Sequence, residues 1–163
     1  MTDRLWAPWR AELFSEPATD GCIFCRFPAE PPANDEKNLI VHRGASCFVI
    51  LNKYPYTAGH LMVIPFAHVD DLQKMSAVAA EMFELSAKAT EALKKVMRPD
   101  GFNLGMNLGR AAGAGIPGHG HLHVVPRWVG DNNFMPVLTD RRVISEGLRE
   151  AWTRLKPHFS TPA

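Results

Sequence analysis

The segment His119-Gly120-His121-Leu122-His123-Val124-Val125 sets histidine at every second position and ends in apolar residues. Alternate side chains of a β-strand share one face, so this spacing predicts a strand with three imidazoles on the same side. The opposite face would carry Leu122 and Val124, an ordinary buried row. A buried imidazole needs partners for both ring nitrogens, so three in strict alternation indicate a site rather than a packing requirement.

One metal ion held by all three histidines is disfavoured by distance. A strand rises about 3.3 Å per residue, which separates the outer two α-carbons by roughly 13 Å. We therefore expect different roles for His119, His121 and His123. The glycine-rich segment from Gly109 to Gly118 precedes them. Its backbone amides can approach an anion because glycine permits the required φ angles, although a flexible connector would have the same composition.

The remaining sequence predicts an α+β fold with an antiparallel sheet. Apolar positions recur at steps of three and four from Val78 to Val96, which indicates one long helix with Ser76 as its N-cap and an end at Pro99-Asp100-Gly101. A short C-terminal helix is expected from about Ser145, on the spacing of Leu148, Trp152 and Leu155. Besides the triad strand, which should end at Pro126, short β-rich runs separated by turns lie at 39–41, 47–51, 60–65 and 102–108.

The 163 residues divide into an N-terminal arm, 1–36, and a domain, 37–163, that together form one globular unit. The arm holds Trp6 and Trp9, a Cys-x-x-Cys pair and a proline-rich stretch from Pro28 to Glu36 that we interpret as a loop. Two tryptophans are large apolar surfaces, so we expect them to dock on the domain or across a dimer interface.

Composition limits the possible partners. The chain is 46% hydrophobic and 21% charged with a formal net charge of +1, which is globular and offers no basic field for long nucleic acid. No apolar run approaches the roughly 18 residues of a membrane span, and no secretory signal is visible at the N-terminus. Three cysteines do not build a closed disulfide framework, so a cytoplasmic location is expected.

The triad segment resembles the His-φ-His-φ-His-φ-φ signature of the histidine-triad superfamily, except that Gly120 stands where the family usually has an apolar residue. The strand from Gly59 to Pro65 is similar to the family's Gly-His-x-φ-Val-φ-Pro. The stretch from Pro126 to Phe134 resembles the branch of fragile-histidine-triad hydrolases and bacterial diadenosine tetraphosphate phosphorylases, and the arm from Leu5 to Arg10 resembles its phosphorylase side. The resemblance covers nearly the whole chain.

This resemblance implies the histidine-triad fold, a homodimer, and cleavage of a dinucleoside polyphosphate through a nucleotidyl–His121 intermediate. A neutral imidazole is an adequate nucleophile at pH 7, and two in-line displacements have lower barriers than one. His123 matches the family histidine that contacts the phosphate. Water would resolve the intermediate in a hydrolase and phosphate in a phosphorylase; the arm and Arg127-Trp128 favour the phosphorylase.

The family pattern also implies nucleotide contacts. Asn52 matches a residue that contacts ribose hydroxyls, although an Asn that closes a turn before Lys53 would look the same. Ile50, Met62 and Trp128 are candidates for an apolar slot around a purine base, although Ile50 and Met62 are also ordinary core residues.

The phosphate contacts are less conventional. Gly115 and Ile116 stand where relatives often place Ser or Gln. We therefore expect Asn107 or main-chain amides of the loop, such as those of Gly113 and Gly115, to contact the phosphate instead.

Cys22-x-x-Cys25 is half of a zinc site, with a redox pair as the alternative. Histidines would have to complete it, and the candidates other than His121 and His123 are His42, His60, His68, His119 and His158. The resemblance implies His60 and His119, which gives a closed, structural Cys2His2 zinc site and leaves His121 free.

Two other functions remain open. One is a nucleotide-binding scaffold with little turnover. The other is the same chemistry on a nucleoside phosphoramidate or adenylyl sulfate.

Overall fold

The computed structural model of this chain describes residues 21–131 and 147–159. The arm tryptophans Trp6 and Trp9, and Ser145 as the start of the last helix, lie outside these ranges. The strands are β1 Ile40–Arg43, β2 Cys47–Leu51, β3 Leu61–Pro65, β4 Gly101–Met106 and β5 Leu122–Arg127; the α-helices are α1 Ile23–Ala29, α2 Leu72–Met75, α3 Ala79–Met97 and α4 Leu148–Leu155.

The strands form one sheet in the order β1-β2-β3-β5-β4, and every pair of neighbours is antiparallel. Together with the long helix and the short C-terminal helix, this confirms the predicted α+β class. The triad strand begins later than its sequence pattern suggests, because only Leu122 to Arg127 pair as β5. His119 and His121 lie in the segment that leads into it.

The long helix is built from two pieces. Asp71 caps α2 by accepting a hydrogen bond from the Lys74 amide at 2.7 Å, and a 3-10 turn, Ser76–Val78, joins α2 to α3. Ser76 is therefore not the N-cap, and its hydroxyl donates to the carbonyl of Gln73 at 2.7 Å. The predicted end is correct: α3 stops at Met97, followed by Arg98 with a left-handed φ of 50° and then by Pro99.

The sheet has two differently used faces. One packs against α3 through the predicted periodic residues Met82, Leu85, Ala89 and Leu93, all of which are buried. The other face carries a second apolar cluster, to which Ile50 and Met62 belong and which α1 covers with Phe24; the full set is Phe24, Ile40, Phe48, Ile50, Met62 and Ile64. The alternation of the strands thus separates the main core from the face that bears the site.

Strand β4 is more exposed than its half-buried pattern predicts. Within the part of the chain that the structure describes, it lies at the edge of the sheet, paired with β5 on one side. Asn103, Leu104 and Gly105 are exposed. In β4, therefore, the alternation in sequence is not matched by burial.

The stretch after α1 is held to the sheet rather than loose. The Arg43 guanidinium donates to the carbonyls of Pro28 at 2.6 Å and Glu30 at 3.0 Å, and forms an ion pair with the buried Asp35 at 2.7 Å. These contacts tie the segment between α1 and β1 to strand β1. Among the described helices, none has both the length and the apolar character needed to cross a membrane.

Candidate active site

His121 lies just before β5 and is 5% exposed. Its Nδ1 is 2.9 Å from the carbonyl oxygen of His119. A carbonyl only accepts, so Nδ1 carries the proton and Nε2 holds the lone pair. Burial lowers the pKa of His121, and the hydrogen bond to His119 only partly opposes this. The ring is therefore a neutral imidazole with a defined nucleophilic atom.

His123 lies in β5 opposite Met62 of β3 and next to His121, with 4.8 Å between the two ring centroids. Its Nδ1 is 2.9 Å from Nε2 of His60. The rings of His121 and His123 are therefore adjacent, as the alternating sequence predicts.

His60 is fully buried beneath this pair. Its Nδ1 accepts a hydrogen bond from the backbone amide of Tyr56 at 3.1 Å. Burial, and then the nearby His123 and His121, lower the pKa of His60 to about 3. Both of its ring nitrogens are engaged away from the cysteines, so the structure corrects the expectation that His60 is a metal ligand.

The cysteine pair instead faces two other histidines. Cys22 precedes the first turn of α1 and Cys25 lies in that turn, so helical geometry brings the thiols to the same end of α1. Within the described ranges, one cluster of side chains can hold a metal ion: Cys22, Cys25, His68 and His119, with ligand atoms within 4.8 Å of one another. His68 takes the place predicted for His60.

The ring of His119 is oriented for this role. Its Nε2 lies 2.8 Å from the carbonyl of Pro65, so Nε2 donates and Nδ1 keeps its lone pair. That Nδ1 lies 3.4 Å from the Cys22 sulfur and 3.6 Å from the Cys25 sulfur. A ligating histidine that donates its other nitrogen to a carbonyl is the usual arrangement at metal sites.

These separations suit a small tetrahedral ion. Zinc lies about 2.3 Å from sulfur and about 2.0–2.1 Å from nitrogen, which separates sulfur and nitrogen ligands by about 3.6 Å. The Cys25 sulfur is 3.3 Å from Nδ1 of His68. Burial raises the pKa of the Cys25 thiol and the neighbouring Cys22 adds to it, a cost that a bound cation would remove. The donor set therefore fits zinc.

The apolar row next to His123 contains two of the three residues expected around a base. Ile50 pairs with Met62, and Met62 pairs with His123, so the three lie in one row across the sheet. Trp128 does not join them. Its indole nitrogen donates to the Met97 carbonyl at 3.4 Å, at the end of the helix that covers the opposite face.

The side chain of Asn52 closes a turn. Its Oδ1 accepts from the amide of Tyr54 at 2.9 Å, and its Nδ2 is 3.4 Å from Nδ1 of His60. Asn52 thus lies beside the histidines, but its oxygen is used locally. Asn107 immediately follows β4 and is half-buried.

The glycine-rich loop uses some of its own donors. Gly113 has a φ of 84° and its amide donates to the Arg110 carbonyl at 3.0 Å, closing a 3-10 turn. Phosphate contact through this amide therefore requires the turn to open. Gly115 is exposed, and Ile116 packs on the apolar cluster beneath the site.

Two contributors, Phe24 and the Tyr56 amide, were missed from sequence, and a third, His68, was a candidate that was not selected. His68 was one of five candidate histidines, and its position three residues after β3 was the signal available. The ring of Phe24 lies 5.6 Å from His119 and 5.2 Å from His121, between the two cysteines in sequence. The Tyr56 amide left no signal, because main-chain donors are not visible in side-chain patterns.

Comparison with known proteins supplies the family context. The HIT domain family matches residues 34–129. AP-4-A phosphorylase of Mycobacterium tuberculosis is 40% identical over 154 residues, covering 90% of this chain and 79% of that protein.

Solved structures agree with the fold. A Zn-bound histidine triad family protein from Mycobacterium smegmatis superposes with a TM-score of 0.68 at 29% identity, over 86% of this chain and 94% of that one. A hypothetical histidine triad nucleotide-binding protein from Sulfolobus tokodaii gives 0.65 at 26% identity, over 85% and 91%.

Proposed function

We propose that this chain, which belongs to the HIT domain family, is an enzyme that cleaves dinucleoside polyphosphates through a covalent nucleotidyl adduct on His121. The observation that carries the proposal is the 2.9 Å contact from His121 Nδ1 to the carbonyl of His119. It leaves Nε2 with the lone pair that attack on phosphorus requires. The M. tuberculosis relative, an AP-4-A phosphorylase by name, supports diadenosine tetraphosphate as substrate.

In the first step, Nε2 of His121 attacks the α-phosphorus of one adenosine end. The bond from that phosphorus to its bridging oxygen breaks, and ATP leaves with the electron pair. AMP remains attached to the imidazole. His123, next to His121 at 4.8 Å between ring centroids, contacts the phosphate, where charge develops on the transferring group.

In the second step, an oxygen of inorganic phosphate attacks the adenylyl group, and the P–N bond breaks to release ADP and restore neutral His121. Water in place of phosphate would release AMP. We favour phosphate on the likeness to the M. tuberculosis protein.

For nucleotide binding, the row of Ile50 and Met62 is the proposed floor of the base site. Asn52 is the proposed ribose contact, since its half-buried amide lies beside His60. Asn107 and the amides of Gly113 and Gly115 are the proposed phosphate contacts, reached when the glycine loop adjusts to the anion.

We further propose that the cluster of Cys22, Cys25, His68 and His119 is a structural zinc site. Zinc supplies a closed tetrahedral crosslink there and adds folding free energy. The protein's own part is to bring α1 and the loop after β3 against His119, whose carbonyl orients His121. Two nitrogen ligands within 3.6 Å of the thiols favour zinc over a redox pair.

A homodimer is proposed through the edge strand β4. Leu104 is 46% exposed and Leu108 is 37% exposed at this edge. Among the strands that the structure describes, none pairs with the outer side of β4, and a strand edge with apolar side chains is a natural site for pairing with a second copy.

Product analysis with diadenosine tetraphosphate, with and without ³²P-labelled phosphate, tests the proposal. We expect ATP and labelled ADP only when phosphate is present, with the label confined to ADP. ATP and AMP at the same rate in both conditions would show a hydrolase. Tight nucleotide binding without any product, or cleavage confined to adenylyl sulfate or a phosphoramidate, would overturn the proposed substrate.

A further inference from the structure

His60 and His123 have ring nitrogens 2.9 Å apart, both buried. Two imidazoles that share one hydrogen bond must divide the roles, with one nitrogen donating and the other accepting. The geometry of that contact alone does not show which ring donates. The hydrogen bond at the other nitrogen of His60 decides it.

The decisive group is the backbone amide of Tyr56, which donates to Nδ1 of His60 at 3.1 Å. An amide nitrogen cannot accept, so Nδ1 of His60 must be unprotonated. A neutral imidazole carries one proton, which therefore lies on Nε2. His60 has no exposed surface, so the neutral form is also the one that its surroundings favour.

The assignment passes to the next ring. Since Nε2 of His60 donates, Nδ1 of His123 accepts and is itself unprotonated. The proton of His123 must then lie on Nε2. This is the opposite tautomer from His121, whose Nδ1 donates to the His119 carbonyl.

We infer that His60 is a positioning residue. It accepts a hydrogen bond from the Tyr56 amide and donates one to Nδ1 of His123, and it thereby fixes the proton of His123 on Nε2. The tautomer assignment stands on the hydrogen bonds alone, whereas its kinetic consequence rests on the proposed function. In this assignment the Nε2 of His121 carries a lone pair, whereas the Nε2 of the neighbouring His123 carries a proton.

That pairing matches what nucleotidyl transfer requires. The lone pair forms the bond to phosphorus, and the N–H meets negative charge on a phosphoryl or departing oxygen. If His123 carried its proton on Nδ1 instead, its Nε2 lone pair would repel the phosphate. One wrong tautomer would turn a stabilising contact into an opposing one.

Two variants of His60 distinguish the loss of its hydrogen-bond donor toward His123 from the loss of the imidazole ring itself. His60→Gln can place an amide N–H near the former Nε2 and still donate to His123. His60→Asn places its amide near the former Nδ1, where it can meet Tyr56 but falls short of His123. Both replace a buried imidazole by an amide, so they are matched in polarity.

The first readout is the ring ¹⁵N–¹H correlation spectrum of the full-length protein, in which directly bonded protons identify the tautomer. We expect His123 as the Nε2–H form in wild type and in His60→Gln, and a mixture in His60→Asn. An Nδ1–H tautomer in wild type would overturn the inference without any variant. An unchanged Nε2–H tautomer of His123 in folded His60→Asn would also overturn it.

The second readout is turnover of diadenosine tetraphosphate. We expect His60→Gln to remain within about 10-fold of wild-type kcat and His60→Asn to fall about 10²–10³-fold with KM little changed, the loss typical of one transition-state donor. Equal kcat in the two folded variants would contradict the kinetic role. If wild type shows the Nε2–H tautomer of His123 but no nucleotidyl transfer, the proposed function fails and the tautomer assignment stands.

Discussion

A Cβ atom on Gly120 would lie 2.6 Å from Sδ of Met75. Met75 is 3% exposed and belongs to the main core. The Gly120 amide also donates to the Val69 carbonyl at 2.6 Å, which brings the chain before α2 close against the triad segment. This contact explains why glycine stands where histidine-triad relatives usually have an apolar side chain: Met75 fills that space from the helix.

Gly120→Ala should therefore destabilise the fold by about 1–3 kcal/mol, the usual cost of overpacking a core. Its φ is not in the left-handed region, so the loss comes from the clash. Combining it with Met75→Ala should recover about 0.5–3 kcal/mol of the summed single losses, since residues in contact couple by that amount. Urea denaturation of the four proteins measures the coupling. Strictly additive losses would show that Met75 does not occupy this space.

Metal content tests the corrected ligand set. We expect about one zinc per chain in wild type, and loss of most of it in Cys22→Ser and in His68→Asn, because each removes one ligand of a closed site. His60→Asn is the matched control and should keep its zinc. Loss of zinc should also lower the thermal midpoint. Retention of zinc in His68→Asn with loss in His60→Asn would restore the ligand set first expected from sequence.

His121→Asn should lose turnover by more than about 10³-fold and keep nucleotide affinity within about 10-fold, because the covalent route disappears while binding contacts stay. Wild-type protein quenched in acid-free denaturant should carry one nucleotidyl mass increment on His121. His158→Asn, an exposed histidine of the C-terminal 3-10 turn, is the control. An adduct on His119 or His123 would refute the assigned nucleophile.

The free energy of unfolding should decrease as pH falls below about 6.5. The folded pKa of His60 is lowered from 6.5 to about 3, so between these values the unfolded chain binds a proton that the folded chain does not. This ring should contribute a slope approaching about 1.4 kcal/mol per pH unit. The pKa values of His42 and His121 are lowered too, so they add slope of the same sign.

His60→Asn isolates the contribution of His60 to that slope. Urea titrations between pH 7 and pH 5 should give a shallower dependence in the variant than in wild type, whatever their absolute stabilities. Parallel curves would show that His60 titrates normally in the folded chain.

Periodicity predicted the elements that repeat a simple pattern. The steps from Val78 to Val96 indicated α3 because one helical stripe packs on the sheet. The short helix α2 before it was missed, because Asp71 caps a single turn whose Leu72 is exposed and adds nothing to the stripe. The triad spacing likewise gave β5 but placed its start too early, since ladder pairing depends on strands distant in sequence.

The site was predictable where sequence neighbours act together. His121 and His123 are two residues apart and their rings are adjacent, whereas the ligand partner of Cys25 had to be chosen among several distant histidines. His60 and His68 flank β3 at its two ends, and the direction in which that strand runs past α1 decides between them. Only the folded structure shows that His68 lies next to the thiols, with its Nδ1 3.3 Å from the Cys25 sulfur.

The sheet register also makes the triad strand intolerant of changes in length. Leu122 and Val124 enter the core on the α3 side, while His123 faces the other way. Deleting or inserting a single residue at the start of β5 would invert every side chain after it, burying imidazoles among leucines and turning valines toward the ligand. A point substitution in β5 changes one side chain, whereas an insertion or deletion of an odd number of residues reverses the face of every side chain that follows. Length variation in this chain should accumulate in the 109–118 loop, upstream of the anchoring contact between Gly120 and Val69.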